Sequence, residues 1–237
     1  MRVIDRIIRF DRLIGLLGES EGIDLSKKEF LDVPVLHQLS LLGIDSRIVA
    51  TLIGRKTLDV GCGSGLLVNE LRLLGIEAYG IDIRAPDKTY FMRQNVTPDK
   101  GIPAPGEHYH LITSFQNVAL NDGLGPLQNP TEIPFFSYEG VSPRQLRKYQ
   151  EEKAREAKSI VSEIGRVLSS EGRAIIYPPL PNVEKYASHT LRESGLEVRH
   201  EPILNPEAVN NYFIWDGVGL ILEDRINTAK RTILTKK

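Results

Sequence analysis

The sequence predicts an α/β fold: a doubly wound, mostly parallel seven-stranded sheet with helices on both faces, plus an N-terminal helical extension. Three observations carry this reading. Short apolar runs alternate with segments of helical periodicity over residues 57–222. The tightest of these, "KTLDVG", "SGLLVNELRLLG" and "EAYGIDI", pack strand, helix and strand into about 26 residues, the shape of a βαβ unit with a parallel pair and a right-handed crossover. The junction "TLDVGCGSG" alternates three glycines with small residues directly after an apolar run, a loop built for close approach to the backbone.

Taken in order, residues 1–53 form the extension, in helical segments 2–17, 26–40 and 44–53 split by "GESEGID" and "GID". Ile4, Ile7, Ile8 and Ile14 recur at helical spacing with arginines between them, the pattern of a helix packed on a domain or, alternatively, lying on a membrane surface. Asp24 or Ser26 can cap the second segment, with Glu29 completing a capping box. Residues 54–237 form the main domain. In its first helix Leu67, Leu71 and Leu74 share one face and Gly75 is the stop. "TYFMRQNV" (89–96) reads as the third strand, "GIPAPGEH" as a loop and "YHLITSF" (109–115) as the fourth strand. Residues 121–142 are rich in turn formers and carry Phe135, Phe136 and Tyr138; a loop that long is often functional, and it is a candidate lid.

Ser142-Pro143 opens a long helix to about Ser169, with serine at the cap and proline in the first turn. Its charges, "RQLRKYQEEKAREAK", read as a solvated face with i,i+4 pairs rather than an RNA contact. A turn and a fifth strand (173–177) follow, then "VEKYASHTLRESG" as a helix and "LEVRHEPIL" as the sixth strand. "YFIWDGVGLILED" reads as one long strand or a bent pair, and "AKRTILTKK", with four bases and no acid, as a basic tail.

Composition bounds the function classes. The chain has 237 residues, 41% hydrophobic and 26% charged, normal for a globular protein with a sizeable core. A formal net charge of -1 supplies no global basic field for nucleic acid and leaves room for a local patch. The single cysteine, Cys62, excludes an internal disulfide and a cysteine-based zinc cluster, and fits a reducing compartment; a cytoplasmic location is the expectation. No run of 18 apolar residues is present, so no membrane span is expected. Arg6, Arg9, Asp5 and Asp11 interrupt the N-terminus too often for a secretory signal.

The glycine spacing selects among ligands. A nicotinamide or flavin dinucleotide wants G-x-G-x-x-G, whereas here Gly61, Gly63 and Gly65 are followed by Leu66 at the third-glycine place. No Gly-Lys-Ser/Thr follows, so the phosphate-loop pattern fails as well. "LDVGCGSG" followed by "YGIDI" resembles the class I S-adenosylmethionine-dependent methyltransferases. That resemblance covers about 57–222 and implies the methyl donor as cofactor, with S-adenosylhomocysteine as product. It implies that Asp59 and the loop Gly61, Cys62, Gly63 and Gly65 lie under the methionine part and sugar. Asp82 would accept both ribose hydroxyls, an ionised carboxylate being suited to a vicinal diol, and Ile83 would lie against the adenine. In "RQNV", Asn95 stands where the family usually has Asp, its amide oxygen able to accept from the adenine amino group, with Val96 beside it. "TSFQNVAL" (113–120), with Ser114 and Phe115, matches the segment that lines the methyl group.

The implied reaction is in-line attack of a substrate nucleophile on the sulfonium methyl, with a base needed only where the nucleophile must lose a proton. Candidates for that base are Gln116, Asn117, Asp122 and Tyr138, while His110 lies inside a strand and reads as structural. Cys62 reads as a small loop residue rather than a nucleophile. "YPPLP" (177–181) follows the fifth strand and reads as a turn, not an amino-directed methylation signature. The acceptor (small molecule, protein or RNA) stays open. Two other readings stand beside the enzyme: a regulatory protein that keeps the cofactor site without catalysis, and a nicotinamide oxidoreductase, which Leu66 disfavours.

Overall fold

The computed structural model describes residues 38–39, 41–97, 99–115, 117–124, 143–177, 179–180, 182–203 and 230–237. Its centre is the glycine-rich βαβ unit. Strand β1 (Lys56–Val60) leads into helix α2 (Leu66–Leu73), preceded in the chain by α1 (Ser46–Leu52), and β2 (Glu77–Ile81) returns parallel to β1. The crossover is short because Gly75, at φ +88°, stops α2 and turns the chain back at once. Next come β3 (Phe91–Met92), β4 (Tyr109–Phe115), α3 (Val118–Leu124), α4 (Pro143–Val167) and β5 (Leu168–Tyr177). Helices α5 (Val183–Tyr186) and α6 (Ser188–Glu193) precede β6 (Leu196–Pro202) and β7 (Lys230–Lys236).

The seven strands run in the order β3-β2-β1-β4-β5-β7-β6. The first four ladders are parallel, and β7 is antiparallel to both neighbours. The sheet is thus mostly parallel, as expected, and reverses at one end.

Strand periodicity assigns each side chain to a face. Leu111, Ile175, Tyr177 and Ile233 join one core with Leu39, Leu41, Leu42, Val49, Leu52 and the buried side of α2. Ile112, Ala174, Ile176 and Leu234 join the other, under α3, α4 and the α5–α6 pair. Helix α4 turns Ala157, Ile160, Val161, Ile164 and Val167 inward at helical spacing, while Lys148–Glu152 and Lys153–Glu156 pair along its length.

Several expectations are corrected. The terminal "AKRTILTKK" is no tail. Residues 230–236 are the seventh strand, inserted between β5 and β6, with Thr232, Ile233 and Leu234 buried. Its bases mislead because Arg231 is buried against Glu201 (3.0 Å) and Lys236 pairs with Glu107 (3.0 Å) at the margin. The third strand is Phe91–Met92 alone, since the chain leaves the sheet at Arg93. The fifth strand starts earlier, at Leu168. Helix 183–195 breaks into two at Ala187. Residues 121–124, read as loop, close helix α3. The readings over 1–37, 125–142 and 212–224, and those for Gln116 and Tyr138, lie outside the described residues. Among the described residues no helix is long and apolar enough to cross a membrane.

Candidate functional site

The carboxyl ends of β1, β2 and β4 converge on the glycine loop. Gly61 and Cys62 both donate their backbone N–H to Ile81 O, at 2.8 and 3.3 Å, which folds the loop over the end of β2. Gly65 donates to Cys62 O at 2.8 Å and closes the turn. Gly61, Gly63 and Gly65 stand at φ +80°, +52° and +76°, where a side chain is strained. Their surroundings differ. A Cβ at Gly65 would collide with the Phe91 ring, and one at Gly61 would stand 2.6 Å from Asn117 Nδ2. A Cβ at Gly63 would meet nothing within 4 Å. Gly61 and Gly65 therefore serve internal packing as well as backbone shape, and Gly63 presents bare backbone to open space.

Asp82 follows β2 and reaches back across this loop. Its Oδ2 accepts from Gly63 N at 3.1 Å and its Oδ1 from Arg84 N at 2.7 Å. An ionised carboxylate has about four lone-pair sites; two are used here, which leaves room for two further donors. Ile83, next in the chain, is 61% exposed, and Leu66 at the start of α2 is 52% exposed. These two apolar side chains flank the loop on the same edge.

Asp59 lies beneath the loop. It is buried, and its Oδ1 accepts from Thr113 Oγ1 at 2.8 Å. Burial pushes its carboxyl up to about 7; the Thr113 hydroxyl opposes that shift and the Asp82 charge adds to it. Burial, with Asp59 and Asp82 nearby, also pushes the Cys62 thiol far above its ordinary range, so it stays protonated and fills space.

At the end of β4, Ser114 Oγ donates to Val60 O at 2.7 Å and ties β4 to β1. The Phe115 ring stacks on Tyr177 of β5, centroids 5.6 Å apart and planes 18° from parallel. Asn117 Oδ1 accepts from Leu120 N at 3.1 Å, capping α3, and its Nδ2 donates to Val60 O at 3.4 Å. A capping amide pressed on the glycine loop is a spacer rather than a base. Asp122 lies on α3.

The structure thus brings together Asp59, Gly61, Cys62, Gly63, Gly65, Asp82, Ser114 and Phe115 along one edge. Asn95 is exposed beyond β3, while Val96 is 4% exposed and belongs to the core under α3 and α4. Thr113, Phe91 and Tyr177 were missed. Phe91 had a signal in Gly65 and Gly80, whose missing side chains leave room for its ring. His110 stands at the opposite edge, on Arg55 and Ser169. Among the described residues no group of three or more His, Cys, Asp or Glu is placed to hold a metal ion.

No family model matches the chain. It is similar to a ubiquinone biosynthesis O-methyltransferase of Nitrosococcus oceani, 34% identical over 84 residues, which are 35% of this chain and 32% of the relative. A protein of the same name from Glaesserella parasuis is 28% identical over 116 residues, 49% of this chain and 42% of the relative. The chain therefore spans about a third to two-fifths of the length of these curated relatives. Among solved structures, a magnesium protoporphyrin IX methyltransferase from Synechocystis with bound SAM superimposes with a TM-score of 0.46 at 18% identity, covering 98% of this chain and 97% of that one. A TehB-like SAM-dependent methyltransferase from Corynebacterium glutamicum gives 0.43 at 15% identity, covering 100% of both chains.

Proposed function

We infer that the chain is a class I S-adenosylmethionine-dependent methyltransferase whose cofactor lies along the carboxyl edge of the sheet. The observation that carries this reading is the pairing of Gly63 with Asp82: open backbone on one side, and a carboxylate with two unused acceptor positions on the other. When bound, the cofactor supplies an electrophilic methyl group on a sulfonium. Asp82 would accept from the ribose hydroxyls, with Ile83 and Leu66 against the adenine and Asn95 within its reach. The loop Gly61–Gly65 would floor the site, with Asp59 fixing it from below through Thr113. Ser114 would hold the β4 end in register, and Phe115, stacked on Tyr177, would form an apolar wall that excludes water from the transfer path.

The acceptor side is proposed as residues 1–53 together with residues 125–142. Support comes from Leu39, Leu41, Leu42 and Ile44, which share a core with Tyr177, against which Phe115 also packs. Both curated relatives are named for transfer to oxygen, which favours a hydroxyl or phenol as acceptor, and such a group needs a base to take its proton. Calorimetric titration with S-adenosylmethionine, S-adenosylhomocysteine and NAD tests the cofactor. Binding of the two sulfur nucleosides and not NAD is expected, and binding of neither would sink the assignment. Labelled methyl transfer into fractionated cell extract then separates an enzyme from a sensor.

A further inference from the structure

We propose that the amino edge of the sheet, on the side away from the glycine loop, carries a second binding site that takes a phosphoryl group on Arg55, Lys56 and Arg173. Two adjoining cavities of about 410 and 250 Å³ open there and share His110 and Glu171 in their walls. Their linings hold Arg55, Lys56, Arg173 and Arg199 against only two carboxylates, Glu107 and Glu171. Glu107 is already taken by Lys236 at 3.0 Å, Glu171 approaches Arg55 no closer than 3.9 Å, and beyond the linings Glu77 stands 3.7 Å from Lys56 and Glu201 3.6 Å from Arg199. Arg173 is half-buried and its side chain makes no ion pair among the described residues.

The contacts closest to Arg55 and Lys56 are a pair of imidazoles. Lys56 Nζ lies 3.1 Å from His108 Nε2, and the Arg55 guanidinium rests on the His110 ring, which also contacts Ser169 Oγ at 3.3 Å. Burial first, and then these cations, hold both histidines below the ordinary imidazole range, against the smaller opposing pull of Glu77 on His108 and Glu171 on His110; Arg173 adds to the depression of His110. Two loosely paired cations, Arg55 and Lys56, and Arg173, which has no ion pair among the described residues, therefore face the rings and hydroxyls of this edge. The donors come from three separate pieces of chain, 55–56, 108–110 and 169–173. That spread suits a tetrahedral oxyanion with several acceptor oxygens better than a planar carboxylate. A dianion seated there neutralises the cations and draws both imidazoles towards protonation.

Ring-proton NMR of His108 and His110 in the full chain without cofactor is the test, with inorganic phosphate, glycerol 3-phosphate and glycerol as probes. Saturable shifts of both rings with phosphate or its ester, midpoints moving to higher pH and no response to glycerol are expected. Tighter binding of the ester identifies a phosphorylated metabolite, and equal binding identifies the free ion. Arg55→Gln with Arg173→Gln should weaken binding about tenfold or more, and Glu171→Gln should tighten it several-fold. Rings that do not move, shifts that never saturate, or an arginine pair variant that binds like the parent would overturn the proposal. Affinity for S-adenosylhomocysteine, read in the same samples, should not change, so this site and the cofactor site fail or stand separately.

Discussion

The two edges of the sheet are finished in opposite ways. At the carboxyl edge β1 and β2 run into glycines, small residues and one carboxylate, and the loop between them offers backbone. At the amino edge Arg55, Lys56, His108, His110 and Arg173 stand out as side chains around two cavities. The two cavities of the amino edge have no residue of the glycine loop in their linings. Charged side chains mark one edge, and backbone conformation beside a carboxylate with unused acceptor positions marks the other.

The severest way to break the comparison is to remove residues 230–237. β7 bridges β5 and β6 and buries Ile233 and Leu234, so both edges should be lost together, with no cooperative thermal transition by circular dichroism. A truncated chain that melts cooperatively would contradict the sheet order.

Asp82→Ala should weaken binding of S-adenosylhomocysteine about 100-fold or more in calorimetry, as two hydrogen bonds to a charged group are worth about 1.5–3 kcal/mol each. Phosphate binding at the amino edge should be untouched. Gly65→Ala comes next. Its Cβ meets the Phe91 ring at a left-handed φ of +76°, and a loss of about 1–3 kcal/mol is expected from denaturant melts.

Asp59 supplies a pH signature of similar or smaller size. Its carboxyl is raised from 3.8 to about 7, so between those values the folded chain holds a proton that the unfolded chain has released. Its contribution therefore falls as pH rises through this window and is lowest above about pH 7. Asp59→Asn keeps the Thr113 contact, and its melting temperature should decline less across the window than the parent's. The smallest effect is expected at the amino margin, where Lys236→Ala removes a surface pair with Glu107 (3.0 Å) and should change stability by about 0.5 kcal/mol or less.

How much of this was legible follows the same division. The βαβ unit and its loop were readable because glycine is needed there for backbone reasons, and such needs are local. Asp82 was readable because a strand of known length ends beside that loop. Less could be read where long-range contacts decide. Arg231 looks like part of a solvated tail until Glu201, thirty residues away, pairs with it at 3.0 Å. The true third strand is two residues long, because pairing, not propensity, ends it at Met92. Asn117 looked like a candidate base in a functional segment, but the contact with Gly61 that makes it a spacer spans 56 residues.

The most direct test of the central claim is the response of backbone amides to S-adenosylhomocysteine by NMR. Saturable shifts are expected at Gly61, Gly63, Gly65 and Arg84, with His108 and His110 unmoved. An undisturbed glycine loop, or a response confined to the histidine edge, would contradict that claim.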